Sequence, residues 1–210
     1  MREQNMVRAP RGVGLLLLVG GVVGLIASFV LTVDKIHLLQ DPSYVPGCTI
    51  NAEFSCGSVM TSLQASLFGF PNSLIGLVGF AVVMVLGALV LAGSELPRWI
   101  WWGLQMGALA AVVFVHWLMV QSIFDIQALC LYCMAVWTVT IPIFTYVTAV
   151  TVLADPTRHE DVGDNDPGDG AANADTSGTA TVVVLLSRRL VLIPVIWLAV
   201  VAAVIVIRFG

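Results

Sequence analysis

The stretch ALCLYCMAVWTVTIPIFTYVTAV, residues 128–150, places a Cys-x-x-Cys pair at the start of a long apolar run. No Asp, Glu, Lys or Arg occurs between Cys133 and Asp155, and a run of about 20 apolar residues is long enough to cross a membrane as a helix. The whole chain is 59% hydrophobic and 10% charged, whereas soluble domains have roughly 25% charged residues. The sequence therefore predicts an all-α integral membrane protein.

Five apolar runs predict five membrane spans, at residues 12–33, 73–92, 99–120, 130–153 and 190–207. Continuous apolar runs favour helices, because the strands of membrane barrels alternate apolar and polar residues. The first run is longer than the apolar core of a signal peptide and lacks a clear small-x-small cleavage site, so we expect it to be retained.

The placement of lysine and arginine predicts the orientation, because the cytoplasmic segments of membrane proteins carry most of these residues. With the N-terminus in the cytoplasm, the outer segments hold only Lys35 and Arg208. The inner segments hold Arg2, Arg8, Arg11, Arg98, Arg158, Arg188 and Arg189. We therefore expect a multi-pass protein of the inner or plasma membrane, with the loop 34–72 and the turn 121–129 outside the cell.

The chain divides into four predicted parts. Residues 1–11 form a cytoplasmic N-terminus, and residues 12–153 form a helix bundle that includes the outer loop 34–72. Residues 154–187 are acidic and rich in Gly, Ala and Asn, which predicts a disordered cytoplasmic linker. Residues 188–210 form a fifth transmembrane helix. The chain has no basic cluster, so we expect no nucleic-acid partner.

The predicted orientation places all four cysteines, Cys48, Cys56, Cys130 and Cys133, on the outer side, where disulfides persist. Three interpretations compete. Two structural bridges would make this a non-enzymatic assembly or anchoring protein, but a Cys-x-x-Cys ring closes a very short loop. A zinc site is disfavoured by the wide first spacing and by an oxidising compartment. We favour a redox relay without metal.

The Cys130–Cys133 spacing suits such a relay. Residues three apart share one face of a helix, and the first turn of a helix favours a negative charge, which lowers a thiol pKa. The hydrocarbon next to the pair offers only lipid-soluble electron acceptors, and a quinone accepts the two electrons and two protons that a dithiol releases. In the outer loop, Val59, Met60, Leu63 and Leu67 recur at helical spacing, which predicts an interfacial helix over residues 55–68.

One ordered pattern spans residues 12–153: Cys48, Cys56, Ser62, the stretch PNSLIGLVGF at 71–80, and Cys130-Leu-Tyr-Cys133. In this pattern the chain resembles the vitamin K epoxide reductase family, specifically its bacterial disulfide-forming members without a fused thioredoxin domain. The resemblance implies a four-helix bundle around a quinone, to which this chain adds its fifth helix.

The resemblance also implies roles for the cysteines. Cys48 and Cys56 would be the shuttle pair that takes electrons from a partner's thiols, with Cys48 on the flexible side meeting the partner. Cys130 would exchange with Cys56, and Cys133 would lie beside the quinone ring. The partner would be a separate thioredoxin-fold disulfide oxidase outside the membrane. The acceptor would come from the membrane quinone pool, with menaquinone favoured over ubiquinone.

Further site residues follow from the resemblance, each with an alternative. Asn72 would hydrogen-bond a quinone carbonyl, or it would N-cap the second span. Ser62 would hold the loop cysteines near the quinone pair, or it is an ordinary interfacial serine. Trp137 stands where the vertebrate enzyme has a tyrosine, and it would contact the quinone or simply fill the bundle. His116, within the third span, is a candidate quinone ligand or an interhelical hydrogen-bonding residue.

Overall fold

The computed structural model describes residues 6–153 and 175–209, with side chains in the second range from residue 192 onward. Six α-helices occupy these ranges: α1 (Arg11–Gln40), α2 (Cys56–Thr61), α3 (Ser73–Leu91), α4 (Arg98–Val120), α5 (Leu131–Leu153) and α6 (Asp175–Phe209). Five of them, all but α2, are long and apolar enough to cross a membrane. The prediction of an all-α multi-pass membrane protein is confirmed.

Helical structure differs from the predicted spans in three places. A π-helix, Gln121–Ile126, continues α4 into the turn predicted at 121–129. Helix α1 continues to Gln40 instead of ending near residue 33, because its charged residues find partners inside the protein. Asp34 is buried and accepts a hydrogen bond from the Tyr44 hydroxyl, and the Lys35 ammonium donates to the Met60 carbonyl. Helix α6 begins at Asp175, upstream of the expected boundary at 188, while residues 154–174 of the expected linker lie outside the described residues.

Small residues let α1 and α3 pack at close range. A Cβ atom on Gly21 would lie 2.6 Å from the backbone nitrogen of Met84, and one on Gly87 would meet the backbone of Leu18. Small residues at a helix–helix contact allow this approach, which is the usual packing solution within a bilayer. Helix α5 packs against both α1 and α4. Leu17, Trp101 and Val147 are among the fully buried side chains of the resulting core.

At the end of the bundle where the chain enters, a short antiparallel pair joins the N-terminal segment to the turn between α3 and α4. Strand β1 (Met6–Val7) pairs with strand β2 (Leu96–Pro97). Helix α3 ends at Leu91, and Gly93 follows in the turn. The φ of Gly93 is 83°, the left-handed conformation that favours glycine after a helix. The opposite end of the bundle carries the cysteines and is called the cysteine end below.

Helix α6 is held to the bundle by packing and, within its described side chains, by a specific hydrogen bond. The Trp197 indole nitrogen donates to His116 Nε2 over 2.7 Å, and His116 Nδ1 lies 2.7 Å from the Val112 carbonyl oxygen on its own helix. Since both ring nitrogens of His116 have partners in the protein, the structure favours the interhelical role over the role of a quinone ligand.

Candidate functional site

The loop between α1 and α3 folds over the cysteine end and forms two short helical pieces. Helix α2 starts at Cys56, and the Ser55 side chain caps it by accepting from the Ser58 backbone N–H over 3.2 Å. A 3-10 turn, Leu63–Ser66, follows. The predicted helix over 55–68 was therefore too long. Ser62 ends the α-helical conformation with a ψ of 155°. Its hydroxyl donates to the Val59 carbonyl, and serine often competes in this way with the backbone hydrogen bonds of a helix.

As a consequence of this break, Leu63 does not continue the apolar face of α2. The side chain is 91% exposed, whereas Met60, one turn earlier, is buried. The predicted helical periodicity therefore holds only as far as Thr61, where α2 ends.

Backbone and side-chain hydrogen bonds fix this loop to the segment that leads into α5. The Leu129 N–H donates to the Glu53 carbonyl over 2.7 Å, and Phe54 and Leu129 form a parallel bridge. Further along, the Gln64 side-chain amide donates to the Asp125 carboxylate over 2.6 Å. The loop is thus tied directly to the residues that precede Cys130.

These contacts bring the four cysteines together. Cys48 and Cys56 form a disulfide, whereas Cys130 and Cys133 are free thiols. The sulfur atoms of Cys48, Cys56 and Cys130 all lie within 4.8 Å of one another. They form a buried group with Met60, called the cysteine cluster below, and Cys133 packs against it. Cys48, expected on the flexible side of the loop, is 5% exposed in the structure, and Cys56 is 0% exposed.

Cys130 occupies the position just before the first residue of α5, and its carbonyl accepts the Met134 N–H over 2.9 Å. The hydrogen bond from the Cys133 thiol is the largest influence on the pKa of the Cys130 thiol and lowers it. The backbone N–H groups of Cys133 and Tyr132 also lower this pKa, while burial and the charge of Asp34 oppose the shift. The net result is a pKa below the ordinary value, as expected for a thiol at a helix start.

This arrangement favours thiol–disulfide exchange over metal binding. A thiolate exchanges by attacking a disulfide sulfur, and the Cys130 sulfur already lies next to both sulfurs of a disulfide. Zinc needs thiolate ligands, and two of the three clustered sulfurs are bonded to each other.

The other predicted site residues have structural partners. The Asn72 side-chain amide donates to the Gln64 carbonyl over 2.7 Å, and its oxygen accepts the Leu67 N–H over 3.2 Å. Asn72 therefore braces the loop, and it does not cap α3 with its side chain. The Ser62 hydroxyl bonds only to its own helix, through Val59, among the described hydrogen bonds.

Trp137 is 4% exposed and belongs to a second apolar group with Val115, Met119, Ile123 and Leu129. Residues of α6, including Trp197 and Val201, pack against the same group, and so does Cys133. Cys133 therefore lies between the cysteine cluster and an apolar region that α6 helps to enclose.

Sequence reasoning missed Asp34, which it assigned to the loop. The signal was present: Leu31 and Leu38 stand three residues before and four residues after Asp34, so all three share one face if the helix continues. In the structure both leucines pack against the cysteine cluster.

Comparison with known proteins gave one family. The model of the vitamin K epoxide reductase family matches residues 15–148, which covers the first four long helices and the cysteine-bearing loop. No curated protein matched the chain.

Proposed function

Because this chain belongs to the vitamin K epoxide reductase family, we propose that it is a quinone-dependent disulfide oxidase that supports disulfide formation in exported proteins. One observation carries the proposal: the Cys130 sulfur lies within 4.8 Å of both sulfurs of the Cys48–Cys56 disulfide. Below, Cys48 and Cys56 are the loop pair, and Cys130 and Cys133 are the thiol pair.

The electron path runs through mixed disulfides, each formed by thiolate attack. A reduced partner first attacks the loop disulfide and leaves oxidised, so that the loop pair becomes a dithiol. The Cys56 thiolate then attacks Cys130 in the Cys130–Cys133 disulfide and frees the Cys133 thiol. Cys48 next attacks Cys56, which restores the loop disulfide and releases Cys130. The redox state in the structure, with the loop pair oxidised and the thiol pair reduced, corresponds to the end of this transfer.

The surroundings of Cys133 fit a quinone acceptor. The residue is half-buried and borders an apolar group at the end of a membrane-spanning helix, and we expect a lipid-soluble molecule to bind there. A bound quinone supplies an acceptor for two electrons and two protons. Cys133 would contact it, with Trp137 in the neighbouring wall. A quinone contact by Asn72 has less support, because both ends of its amide are engaged by the loop.

The partner and the orientation are part of the proposal. We expect a thioredoxin-fold oxidase outside the membrane as the electron donor, and the arginine bias of the sequence supports placing the cysteine end outside. Both loop-pair sulfurs are buried. The loop must therefore open before a protein partner can reach Cys48.

Turnover of purified protein tests the proposal. The protein is reduced with a small dithiol in the presence of menaquinone or ubiquinone, and quinone absorbance is followed. We expect quinone loss with the wild type and none with Cys133→Ala. Cys48→Ser is the matched comparison, since it should accept electrons from a small dithiol yet fail with a thioredoxin-fold partner.

Thiol trapping during turnover separates the oxidase from an assembly protein with structural bridges. In the oxidase, all four cysteines cycle between thiol and disulfide. If the loop pair stays oxidised while dithiol is consumed, or if Cys133→Ala reduces quinone at the normal rate, the proposed electron path is wrong.

A further inference from the structure

Asp34 is a carboxylate on a membrane-spanning helix, buried to 8% exposure. Burying a carboxylate costs free energy unless it is paired or hydrogen-bonded, and an ionisable residue in such a position is a functional candidate by default. Its hydrogen bond within the described residues comes from the Tyr44 hydroxyl, over 2.9 Å. The electron path described above does not use this group.

Asp34 lies on the side of α1 that faces the cysteines. Leu31 and Leu38, on the same face of α1, both pack against the cysteine cluster, so Asp34 lies between two residues that contact this group. The next residue, Lys35, donates to the carbonyl of Met60, which is a member of the cluster. Asp34 therefore lies on the face of α1 that covers Cys130.

Among the residues that the structure describes, few other ionisable groups compete for this role. On α1, the Lys35 ammonium is engaged by a backbone carbonyl, and the exposed His37 ring packs edge-on against the Tyr44 ring. On the loop, the loop pair is held in a disulfide. From the α5 side, Cys130, Tyr132 and Cys133 pack at the cluster, while the Asp125 carboxylate upstream of them is exposed and accepts from Gln64.

The chemistry of the thiol pair needs a proton acceptor at this place. When the Cys130 and Cys133 sulfurs bond to each other, two S–H bonds break, and two electrons and two protons must leave. Cys130 is 0% exposed, so water is poorly placed to take its proton. The hydrogen bond from the Cys133 thiol is the largest influence on the pKa of the Cys130 thiol and lowers it. The charge of Asp34 acts in the opposite direction and raises this pKa.

We propose that the Asp34 carboxylate, held by Tyr44, accepts the proton of the Cys130 thiol as the Cys130–Cys133 disulfide forms. This inference rests on the proposed function. The thiol pair is oxidised to a disulfide, and the two electrons and both protons pass to the quinone named there as oxidant. The proton of Cys130 travels by way of Asp34, which passes it on and returns to its starting state.

Two measurements on Asp34→Asn test the role. The first is a pH titration of the thiolate absorbance of the reduced thiol pair, which needs no quinone. Because the substitution removes a negative charge that disfavours the thiolate, we expect the thiolate to appear at lower pH than in the wild type. The second is the rate of quinone reduction by the thiol pair. We expect it to fall at least about 100-fold, the lower range for loss of a general base.

In Asp34→Asn we expect more Cys130 thiolate at a given pH but slower quinone reduction. This combination separates proton transfer from a purely electrostatic or structural role. If Asp34 acted only through its charge, more thiolate would give a faster reaction. Asp41→Asn is the matched control, since Asp41 is an exposed carboxylate just past the end of the same helix. It should leave the titration unchanged and the rate within about twofold.

A second variant keeps the proposal testable if Asp34→Asn folds poorly. Asp34→Ala opens space for a small carboxylate, so added formate should raise its rate of quinone reduction without affecting the wild type. An Asp34→Asn rate at or above the wild-type rate overturns the inference, as does an unchanged thiolate titration or a lack of formate rescue. A wild type that cannot reduce quinone overturns the proposed function instead, while the titration still reports whether Asp34 faces Cys130.

Discussion

Replacement of Cys133 should trap the exchange intermediate between the two cysteine pairs. Without Cys133, the Cys130 sulfur has no partner on its own helix, yet it lies within 4.8 Å of both loop-pair sulfurs. A disulfide bond is about 2.05 Å long, so a sulfur shift of less than about 3 Å is needed, which is within reach of side-chain rotation. We expect Cys133→Ala to accumulate a Cys56–Cys130 disulfide.

The pH dependence of this trapping follows from the pKa of Cys130. The Cys133 thiol is the largest cause of the lowered value, so its removal should raise the pKa and move the onset of trapping to higher pH. Cys133→Ser is the matched variant, because a hydroxyl can still donate to the Cys130 sulfur. Each unit of pKa changes the thiolate fraction tenfold below the pKa. At a pH below both pKa values, the serine variant should therefore form the crosslink faster than the alanine variant.

Peptide mapping by mass spectrometry under non-reducing conditions provides the assay, with acid quenching at a series of pH values. Adding Cys56→Ser should abolish the crosslink. With Cys48→Ser added, no loop disulfide remains to be attacked, so Cys56 and Cys130 should join only when a two-electron oxidant is supplied, and they should then stay joined because Cys48 cannot displace Cys130. A crosslink between Cys48 and Cys130 as the main product would contradict the assigned order of exchange. Equal pH profiles for the alanine and serine variants would refute the role of the Cys133 hydrogen bond.

Three other predictions concern the scaffold. Gly21→Ala should lower the melting temperature, with overpacking against the backbone of α3 costing about 1–3 kcal/mol, while Gly12→Ala, which has open space around its Cβ position, should not. Trp197→Phe should weaken the attachment of α6 by about 0.6–1.7 kcal/mol, and a double-mutant cycle with His116→Ala should recover that coupling. Lys35→Met removes a hydrogen bond to the end of α2, so a small thiol should reduce the loop disulfide several-fold faster than in the wild type.

The apolar runs were sufficient to predict all five long helices, because composition alone decides which segments can enter a bilayer. Helix α3 was predicted to within one residue of its ends. The end of α1 was not, since Asp34 and Lys35 looked like the start of an aqueous loop. Their partners, Tyr44 and Met60, both lie in the loop between α1 and α3. No pattern in the sequence around Asp34 and Lys35 predicts these two contacts.

The four cysteines of the site could also be predicted, from their spacing and their common side. Their enclosure could not, because it depends on tertiary contacts such as the one between Glu53 and Leu129. Asn72 shows the same limit. Its position suggested a ligand contact or a helix cap, but its hydrogen-bonding capacity is directed to the loop backbone.

In the proposed oxidase, the burial of the loop disulfide also has a consequence for which thiols can reduce it. If the loop disulfide were exposed, any small thiol that met it could reduce it by thiol–disulfide exchange. With both sulfurs of Cys48 and Cys56 behind the folded loop, we expect small thiols to reduce this disulfide slowly and a protein that can open the loop to reduce it faster. If the proposed function holds, the loop selects the electron donor before thiol–disulfide exchange begins.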